Sequence, residues 1–282
     1  MIRWAWNVKG WEASDEEISA LLSYLPTAEQ AKIKAFRFPI DGHRSLMGQI
    51  LARLALLAYI PDIERMTDLG IGRTPCGKPI LINPSDRPDL AFNVSHHGDW
   101  VVVAAVAAEA ECPTGVRLGV DVSEVAEPLP GECVDEFFES FQTYFTKAEW
   151  NYVNGEKPGR ARMHRFHHLW CLKESYVKAL GLGLSMDLDR ISFSVDAEQP
   201  LAAHGVYAIS LAVDGEVQND FFFELCYLDQ SHPVALCYER KCSLPKQQRE
   251  TAPSQFTVLR WGGIKERISA LGDSRFATAA AS

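Results

Sequence analysis

One stretch of sequence, from Trp170 to Gly181, limits the possible folds and functions of this chain more than any other. It predicts a helix on which Glu174 and Lys178 lie one turn apart, on the same face. Because Trp170 and Val177 lie one turn to either side of Glu174, this carboxylate borders the apolar stripe. A partly buried carboxylate favours a nearby cation or proton. An exposed ion pair within the helix is the alternative that this spacing leaves open.

A second acid lies upstream on a predicted strand. Leu118 to Val122 is apolar except for Asp121, and strand alternation directs Asp121 to the face opposite Val120. A solvent-facing acid at the end of a strand is one interpretation. A ligand to Mg²⁺ is the other, because hard cations bind carboxylate oxygens. If the fold brings Asp121 and Glu174 together, they can hold one Mg²⁺ while Lys178 contacts a phosphate, which indicates phosphate chemistry.

The composition narrows the class of protein. A net charge of −9 argues against a general nucleic-acid binder, which needs a basic surface. No apolar run reaches the roughly 18 residues of a membrane helix, and the first residues do not have the pattern of a secretory signal. The seven cysteines form no C-x-x-C pair, which is typical of reduced thiols. We therefore expect a cytoplasmic protein without membrane or nucleic-acid partners.

Hydrophobic periodicity predicts two α+β halves and a polar tail. The predicted strands cover 2–8, 80–82, 90–94, 100–107, 118–122, 191–195, 206–213, 221–227 and 234–238, and the predicted helices cover 14–24, 28–36, 41–58, 134–141, 146–153 and 162–180. We place an N-terminal subdomain at 1–115 and a C-terminal subdomain at 116–242. The tail, 243–282, is expected to be partly disordered, with a weak helix over 258–271.

Other polar groups are weaker candidates. Ser95 and His96 follow a predicted strand and suit an anion contact, although a polar turn explains them equally. Arg73 and Lys78 lie in a segment rich in Gly and Pro that lacks P-loop spacing, so a solvated loop is the alternative. Lys32 and Arg44 lie on separate helices and, taken alone, indicate surface cations. Three histidines share a helix face without a Cys or acid at zinc spacing, so we predict no zinc site; they are His164, His167 and His168.

These segments together resemble the surfactin-type 4′-phosphopantetheinyl transferases, especially the animal α-aminoadipate-semialdehyde-dehydrogenase type. The motifs that carry the resemblance are His43-Arg44, Gly72-Arg73 with Gly77-Lys78-Pro79, Phe92-Asn-Val-Ser95-His96, Gly119-Val-Asp121, Phe145-Thr-Lys-Ala-Glu-Trp150, and Trp170-Cys-Leu-Lys173-Glu174-Ser-Tyr-Val-Lys178. The pattern W-x-x-K-E-x-x-x-K is specific when it occurs with G-[IV]-D. The other motifs support the resemblance mainly through their order.

The resemblance implies an α+β fold made of a pseudo-twofold pair of α/β subdomains with mainly antiparallel sheets, and coenzyme A (CoA) bound between them. It implies transfer of the 4′-phosphopantetheine group to a serine hydroxyl of an apo acyl or peptidyl carrier protein, with release of adenosine 3′,5′-bisphosphate. The family serves fatty-acid synthesis and lysine metabolism, and the sequence leaves the particular carrier open. We expect a monomer, because one chain supplies both halves of the cleft.

The resemblance also assigns residues. Asp121 and Glu174 would hold Mg²⁺ on the pyrophosphate, Lys178 would contact that pyrophosphate, and Glu174 would be the base. The residues implied at the 3′-phosphate and adenosine end are Lys32, Arg44 and His96, and those implied to line the same pocket are Arg73, Lys78, Asn93 and Ser95.

One position departs from many bacterial relatives, which carry an acid where this chain has Ser123. We therefore expect weaker metal affinity than in those relatives, and a gain in affinity when Ser123 is replaced by Glu. Two other functions stay open. A CoA-binding protein with little transferase activity would bind CoA and leave carriers unmodified, and a Mg²⁺-dependent phosphohydrolase would break down CoA without a carrier.

Overall fold

The structure, a computed structural model, describes residues 1–108, 115–125, 133–155, 160–195, 209–240, 255–272 and 276. The helices are α1 (Asp15–Leu22), α2 (Thr27–Lys34), α3 (Pro39–Leu57), α4 (Val134–Glu139), α5 (Lys147–Asn154), α6 (Arg160–Leu180) and α7 (Trp261–Ser269). The strands are β1 (Ile2–Asn7), β2 (Gly70–Arg73), β3 (Pro79–Asn83), β4 (Leu90–His97), β5 (Trp100–Ala107), β6 (Leu118–Val122), β7 (Ile191–Val195), β8 (Ile209–Val213), β9 (Glu216–Gln218), β10 (Phe221–Tyr227), β11 (Pro233–Glu239) and β12 (Thr257–Leu259). The start of one predicted strand, 206–208, and the tail segments 243–254 and 277–282 lie outside the described residues.

The N-terminal half is built on a four-stranded sheet in the order β12-β1-β5-β4. β1 and β4 both pair antiparallel with β5, and α3 packs across β4 and β5. The helix lies there because Leu46, Ile50 and Leu54 repeat at helical spacing, and all three are buried. Burial of this stripe forms the centre of the N-terminal core.

Part of the tail folds onto the same sheet. β12 pairs in parallel with β1, with Thr257 opposite Trp4. α7 follows and buries Ile264 and Ile268 in the N-terminal core. The helix lies within the predicted range 258–271 but covers only Trp261–Ser269. Residues 258 and 259 belong instead to β12, which was not predicted because three residues are too few to show alternation. The tail thus contributes a strand and a helix to the first half of the protein.

Two segments near the cleft differ from the sequence prediction. Gly70–Arg73 was predicted as a loop, but it forms a strand that pairs antiparallel with β3; glycine is rare in strands, so this segment carries no strand signal. Ser95 and His96 were predicted in a turn, but β4 continues through both of them. The turn comes at Gly98, whose φ of +54° suits glycine.

The C-terminal half places the long helix α6 across β6 and β11. These strands belong to an antiparallel sheet in the order β10-β11-β6, and β7, β8 and β9 form a second antiparallel sheet. The predicted α+β class with mainly antiparallel sheets is therefore confirmed. Of the helices described, none combines the length and the hydropathy needed to cross a lipid bilayer.

Side chains of β4 join the two halves. β6 packs beside β4, but no main-chain ladder links these two strands within the described ranges. Instead, Asn93 Oδ1 accepts a hydrogen bond from the Val120 N–H at 2.9 Å, and Ser95 Oγ accepts one from the Val122 N–H at 3.4 Å. Because buried main-chain N–H groups need partners, Asn93 and Ser95 take the place of a ladder at this junction.

Gly119 allows β6 and α6 to approach closely. A Cβ atom at this position would collide with the Ser175 carbonyl oxygen and would lie 2.5 Å from the Ala179 nitrogen. Both are helix backbone atoms, so the whole helix would have to move to make room. Strand alternation places Asp121 on the same face as Gly119, and this close packing therefore brings Asp121 against α6.

Replacing Gly119 with Ala should lower the free energy of unfolding by about 1–3 kcal/mol, the usual effect of overpacking a core, as measured by urea denaturation. Gly263 on α7 is the matched control, because nothing lies within 4 Å of an added Cβ there. Ala is the better helix former, so Gly263→Ala should raise stability by about 0.5–1 kcal/mol. Equal stability of Gly119→Ala and the parent protein would contradict the close packing of β6 on α6.

Candidate active site

Two acids and one lysine meet where β6 packs on α6. Asp121 is 6% exposed, and its Oδ1 lies 2.5 Å from Lys178 Nζ and accepts a hydrogen bond from Ser95 Oγ at 2.8 Å. Lys178 Nζ also donates to Ser95 Oγ at 3.0 Å. Glu174, one turn before Lys178, lines a cleft together with Lys178, and the negative charge of Asp121 acts on its carboxylate. The fold therefore brings together the two acids that the sequence places far apart.

Glu174 has the properties of a cation ligand. Its half-buried carboxylate forms no hydrogen bond or ion pair within the part of the chain that the structure describes. Burial raises the pKa of Glu174, the negative charge of Asp121 raises it further, and Lys178 lowers it. A carboxylate in this environment is stabilised by a bound cation or by a proton. The oxygens of Glu174 and Asp121 are the donors that a hard cation such as Mg²⁺ prefers.

The site supplies only part of a metal coordination shell. Among the described residues there is no group of three or more His, Cys, Asp or Glu side chains that could hold a metal ion. Ser123 does not line the cleft; its Oγ lies 2.8 Å from His167 Nδ1 and 3.5 Å from His97 Nδ1. A metal ion held by Asp121 and Glu174 would therefore need water or substrate oxygens as its other ligands.

The three histidines of α6 contact hydroxyl groups of neighbouring side chains. Nδ1 of His164 lies 2.7 Å from the Tyr227 hydroxyl, and Nε2 of His168 lies 2.5 Å from the same hydroxyl. His167 is buried against Ser123. These side chains thus contact hydroxyl groups, and burial lowers the pKa of both His167 and His168 to about 3, which keeps their rings neutral.

Lys173, next to Glu174, has a different role. Its Nζ lies 2.8 Å from Glu149 Oε2, and both side chains are fully buried. The same ammonium donates to the carbonyl oxygens of Leu188 and Ile191. Lys173 therefore ties α6 to α5 and to the chain before β7, while Glu174 faces the cleft. Both residues lie within the motifs quoted above, but no pattern in the sequence indicates that they pair.

A cavity of about 640 Å³ opens beside Glu174, a volume typical of sites for small molecules. Both halves of the protein form its walls. The predicted site residues that line it are Arg73, Lys78, Asn93, Glu174 and Lys178. A second cavity of about 310 Å³ shares Arg73, Pro79 and Val94 with the first and also contacts His96. The two cavities therefore adjoin and form one extended cleft.

Two of the predicted cations do not line either cavity, and a third is already bonded. Lys32 is exposed and pairs with Glu29 at 2.9 Å. Arg44 donates to the Gly98 carbonyl oxygen at 2.7 Å and pairs with Asp41 at 2.6 Å. Lys78 Nζ donates to the Ala179 carbonyl oxygen at 2.7 Å, near the C-terminal end of α6, and burial lowers its pKa to about 8.

The larger cavity is also lined by residues that no sequence pattern singled out, namely Thr143, Tyr144, Met186 and Asp187. They lie in short connecting segments, where no periodic pattern shows which side chains face a cavity. Their mixture of apolar and polar groups is typical of a wall that contacts an extended organic ligand.

Comparison with family models matches residues 9–108 to the family described as 4′-phosphopantetheinyl transferase, N-terminal, and residues 117–237 to the 4′-phosphopantetheinyl transferase superfamily. The two matches meet between β5 and β6. A phosphopantetheinyl transferase of a Thraustochytrium species is 34% identical over 240 residues, which cover 84% of this chain and 77% of that protein.

Two further relatives match over most of the chain. The human L-aminoadipate-semialdehyde dehydrogenase-phosphopantetheinyl transferase is 29% identical over 272 residues, which cover 93% of this chain and 84% of that protein. The 4′-phosphopantetheinyl transferase Sfp of Bacillus subtilis is 31% identical over 224 residues, which cover 79% of this chain and 86% of the relative. The matched segments include β6 and α6, which carry Asp121 and Glu174.

Proposed function

Because the chain belongs to the 4′-phosphopantetheinyl transferase superfamily, we propose that it transfers the 4′-phosphopantetheine group of CoA to a serine hydroxyl of an apo carrier protein, with release of adenosine 3′,5′-bisphosphate. Transfer of phosphopantetheine to carrier proteins is the reaction of this family. The main support from the structure is that Glu174 and Lys178 line a cleft between the two halves and that Asp121 pairs with Lys178.

In this proposal CoA lies along the extended cleft, with its pyrophosphate beside Lys178. Arg73 and Lys78 border the same cavity from the N-terminal half and add positive charge to it. Asp121 and Glu174 would hold Mg²⁺, which when bound neutralises charge on the pyrophosphate oxygens. The carrier brings its serine to the open side of this cleft.

Glu174 is our candidate for the base that accepts the proton of the carrier serine, directly or through a water molecule. Its carboxylate lines the cleft beside Lys178, and a positioned carboxylate is a common general base. The serine oxygen attacks the β-phosphorus and the bisphosphate leaves. Lys178, held by Asp121 and Ser95, is positioned to stabilise the charge on the phosphate oxygens.

The test is to incubate the protein with CoA, Mg²⁺ and an apo carrier domain and to weigh the carrier by mass spectrometry. We expect a gain of one phosphopantetheine group, and no gain on a carrier whose acceptor serine is replaced by Ala. Binding of CoA with an unchanged carrier mass would favour the CoA-binding protein. Breakdown of CoA in the absence of any carrier would favour the phosphohydrolase.

A further inference from the structure

The hairpin of β2 and β3, in the N-terminal half, contacts the C-terminal end of α6, in the other half. Lys78, the residue before β3, donates from its Nζ to the Ala179 carbonyl oxygen at 2.7 Å. A Cβ atom at Gly181 would lie 2.9 Å from Lys78 Cδ, and one at Gly183 would lie 3.2 Å from the Cys76 carbonyl oxygen. The hairpin therefore packs directly against the chain that follows α6, where the two glycines leave room for it.

The turn of this hairpin is held by its own hydrogen bonds. The Lys78 N–H donates to Thr74 Oγ1 at 3.1 Å, and the Thr74 N–H donates to the Lys78 carbonyl oxygen at 2.9 Å. The Gly77 N–H also donates to the Thr74 carbonyl oxygen, at 2.8 Å, and its φ of +85° suits glycine. The backbone of Lys78 is thus fixed within the hairpin, and its side chain extends from a defined position to α6.

The Ala179 carbonyl group is a suitable acceptor because it lies in the last turn of α6, which ends at Leu180. The carbonyl groups of a last helical turn have no amide partner within the helix, and a cation is favoured at that end of the helix dipole. Burial lowers the pKa of Lys78 to about 8, so most of the Lys78 side chains carry a positive charge at neutral pH. Lys78 therefore caps α6 from the opposite half of the protein.

The capped residue, Ala179, directly follows Lys178. The Ala179 nitrogen also packs against β6, since it would lie 2.5 Å from a Cβ atom at Gly119. The backbone next to Lys178 is therefore held at two points, by β6 at the Ala179 nitrogen and by Lys78 at the Ala179 oxygen. The Lys178 side chain extends from this fixed backbone to Asp121 in the site.

We propose that Lys78 is a positioning residue for the transfer reaction: by holding the Ala179 carbonyl oxygen, it keeps Lys178 in place beside the pyrophosphate. This inference rests on the proposed function, in which Lys178 stabilises charge on the phosphate oxygens. Lys78 lines the same cavity, but its ammonium group is bonded to the helix, so its main effect is on the rate. A shift of about 1 Å in a group that acts on the reacting atoms can cost about 10²-fold.

The first test separates rate from binding. Lys78→Met removes the bond to α6, and we expect kcat to fall about tenfold to a hundredfold while KM for CoA rises at most a few-fold. Lys78→Arg still carries donors for the carbonyl oxygen and should recover part of kcat. Arg73→Met is the matched variant, because Arg73 lines the same cavity but donates to the Gly77 carbonyl oxygen of its own hairpin; it should raise KM more than it lowers kcat.

A double variant tests whether Lys78 acts through Lys178. In the Lys178→Met background, Lys78→Met should lower kcat by less than about twofold, because the group that it positions is already gone and coupled residues do not add. Losses that multiply would show that Lys78 acts independently of Lys178, which overturns the inference.

Gly181→Ala displaces Lys78 without removing it, because the added Cβ would lie 2.9 Å from Lys78 Cδ. Gly272 is the matched control: its φ of +86° resembles the +71° of Gly181, but nothing lies within 4 Å of an added Cβ there. Gly181→Ala should lower kcat, and Gly272→Ala should not. If Lys78→Met does not fold, this comparison decides.

Unchanged kcat in folded Lys78→Met, or equal kcat in the two glycine variants, overturns the inference. Absence of transfer by the parent enzyme overturns the proposed function instead.

Discussion

Replacement of Glu174 by Gln is expected to abolish transfer of phosphopantetheine while CoA still binds. The amide keeps the size of the side chain, but it neither accepts the serine proton nor supplies a negative charge for Mg²⁺. Positioned bases contribute about 10²- to 10⁴-fold to rates, and loss of the metal ligand adds to this effect. We expect kcat to fall by at least about 10³-fold, measured as the rate of carrier mass gain at saturating CoA.

Binding of CoA by Glu174→Gln is to be measured by calorimetry and should stay within a few-fold of the parent value, because Arg73, Lys78 and Lys178 also line the cavity. Glu266, an exposed residue on α7, provides the matched control; Glu266→Gln should leave both turnover and binding unchanged. Near-normal turnover of Glu174→Gln would refute its role in the reaction. Loss of CoA binding would assign Glu174 to substrate binding instead.

The second large effect concerns the stability of the fold and involves Lys173, the residue before Glu174. Lys173→Met should lower the free energy of unfolding by about 3–5 kcal/mol, because it leaves the Glu149 carboxylate buried without a counter-charge. Lys173 and Glu149 are both fully buried, and their charged atoms lie 2.8 Å apart. Urea denaturation followed by tryptophan fluorescence measures the change.

Two controls distinguish the effect of leaving a buried charge unpaired from the effect of lost packing in Lys173→Met. The double variant Lys173→Met with Glu149→Gln leaves no unpaired charge and should recover much of the stability. Arg190 pairs with Asp214 at 2.6 Å, but both side chains are 52% exposed, so Arg190→Met should lower the free energy of unfolding far less than Lys173→Met does. Equal losses in Lys173→Met and Arg190→Met would show that burial of the first pair contributes little.

The two elements that carry the acids could be predicted because their signals are local. Apolar alternation around Asp121 defines β6, and helical spacing around Glu174 defines α6. Local patterns do not show how close two elements come, and this distance depends on Gly119, whose lack of a side chain admits α6. The resemblance to a family, and not periodicity, led us to expect that the two acids meet.

Because local patterns do not show tertiary contacts, the surroundings of the predicted cations could not be foreseen either. Lys32 and Arg44 are charged residues on helices, and no pattern shows that the first pairs with Glu29 or that the second binds the Gly98 carbonyl oxygen. Arg53 is a residue that no sequence pattern singled out. A charge within an apolar helix indicates a surface position, whereas the structure buries it beside a cavity. The roles of individual residues toward CoA therefore stay predictions until the variants are measured.

The junction between β4 and β6 couples assembly to activity. Ser95 accepts the Val122 N–H across this junction, and the same hydroxyl holds Lys178 beside Asp121. The hydroxyl oxygen of Ser95 thus both links the two halves of the chain and belongs to the candidate active site. Neither half of the polypeptide, produced separately, contains a complete active site. A change in the packing of the two halves would also change the position of Lys178.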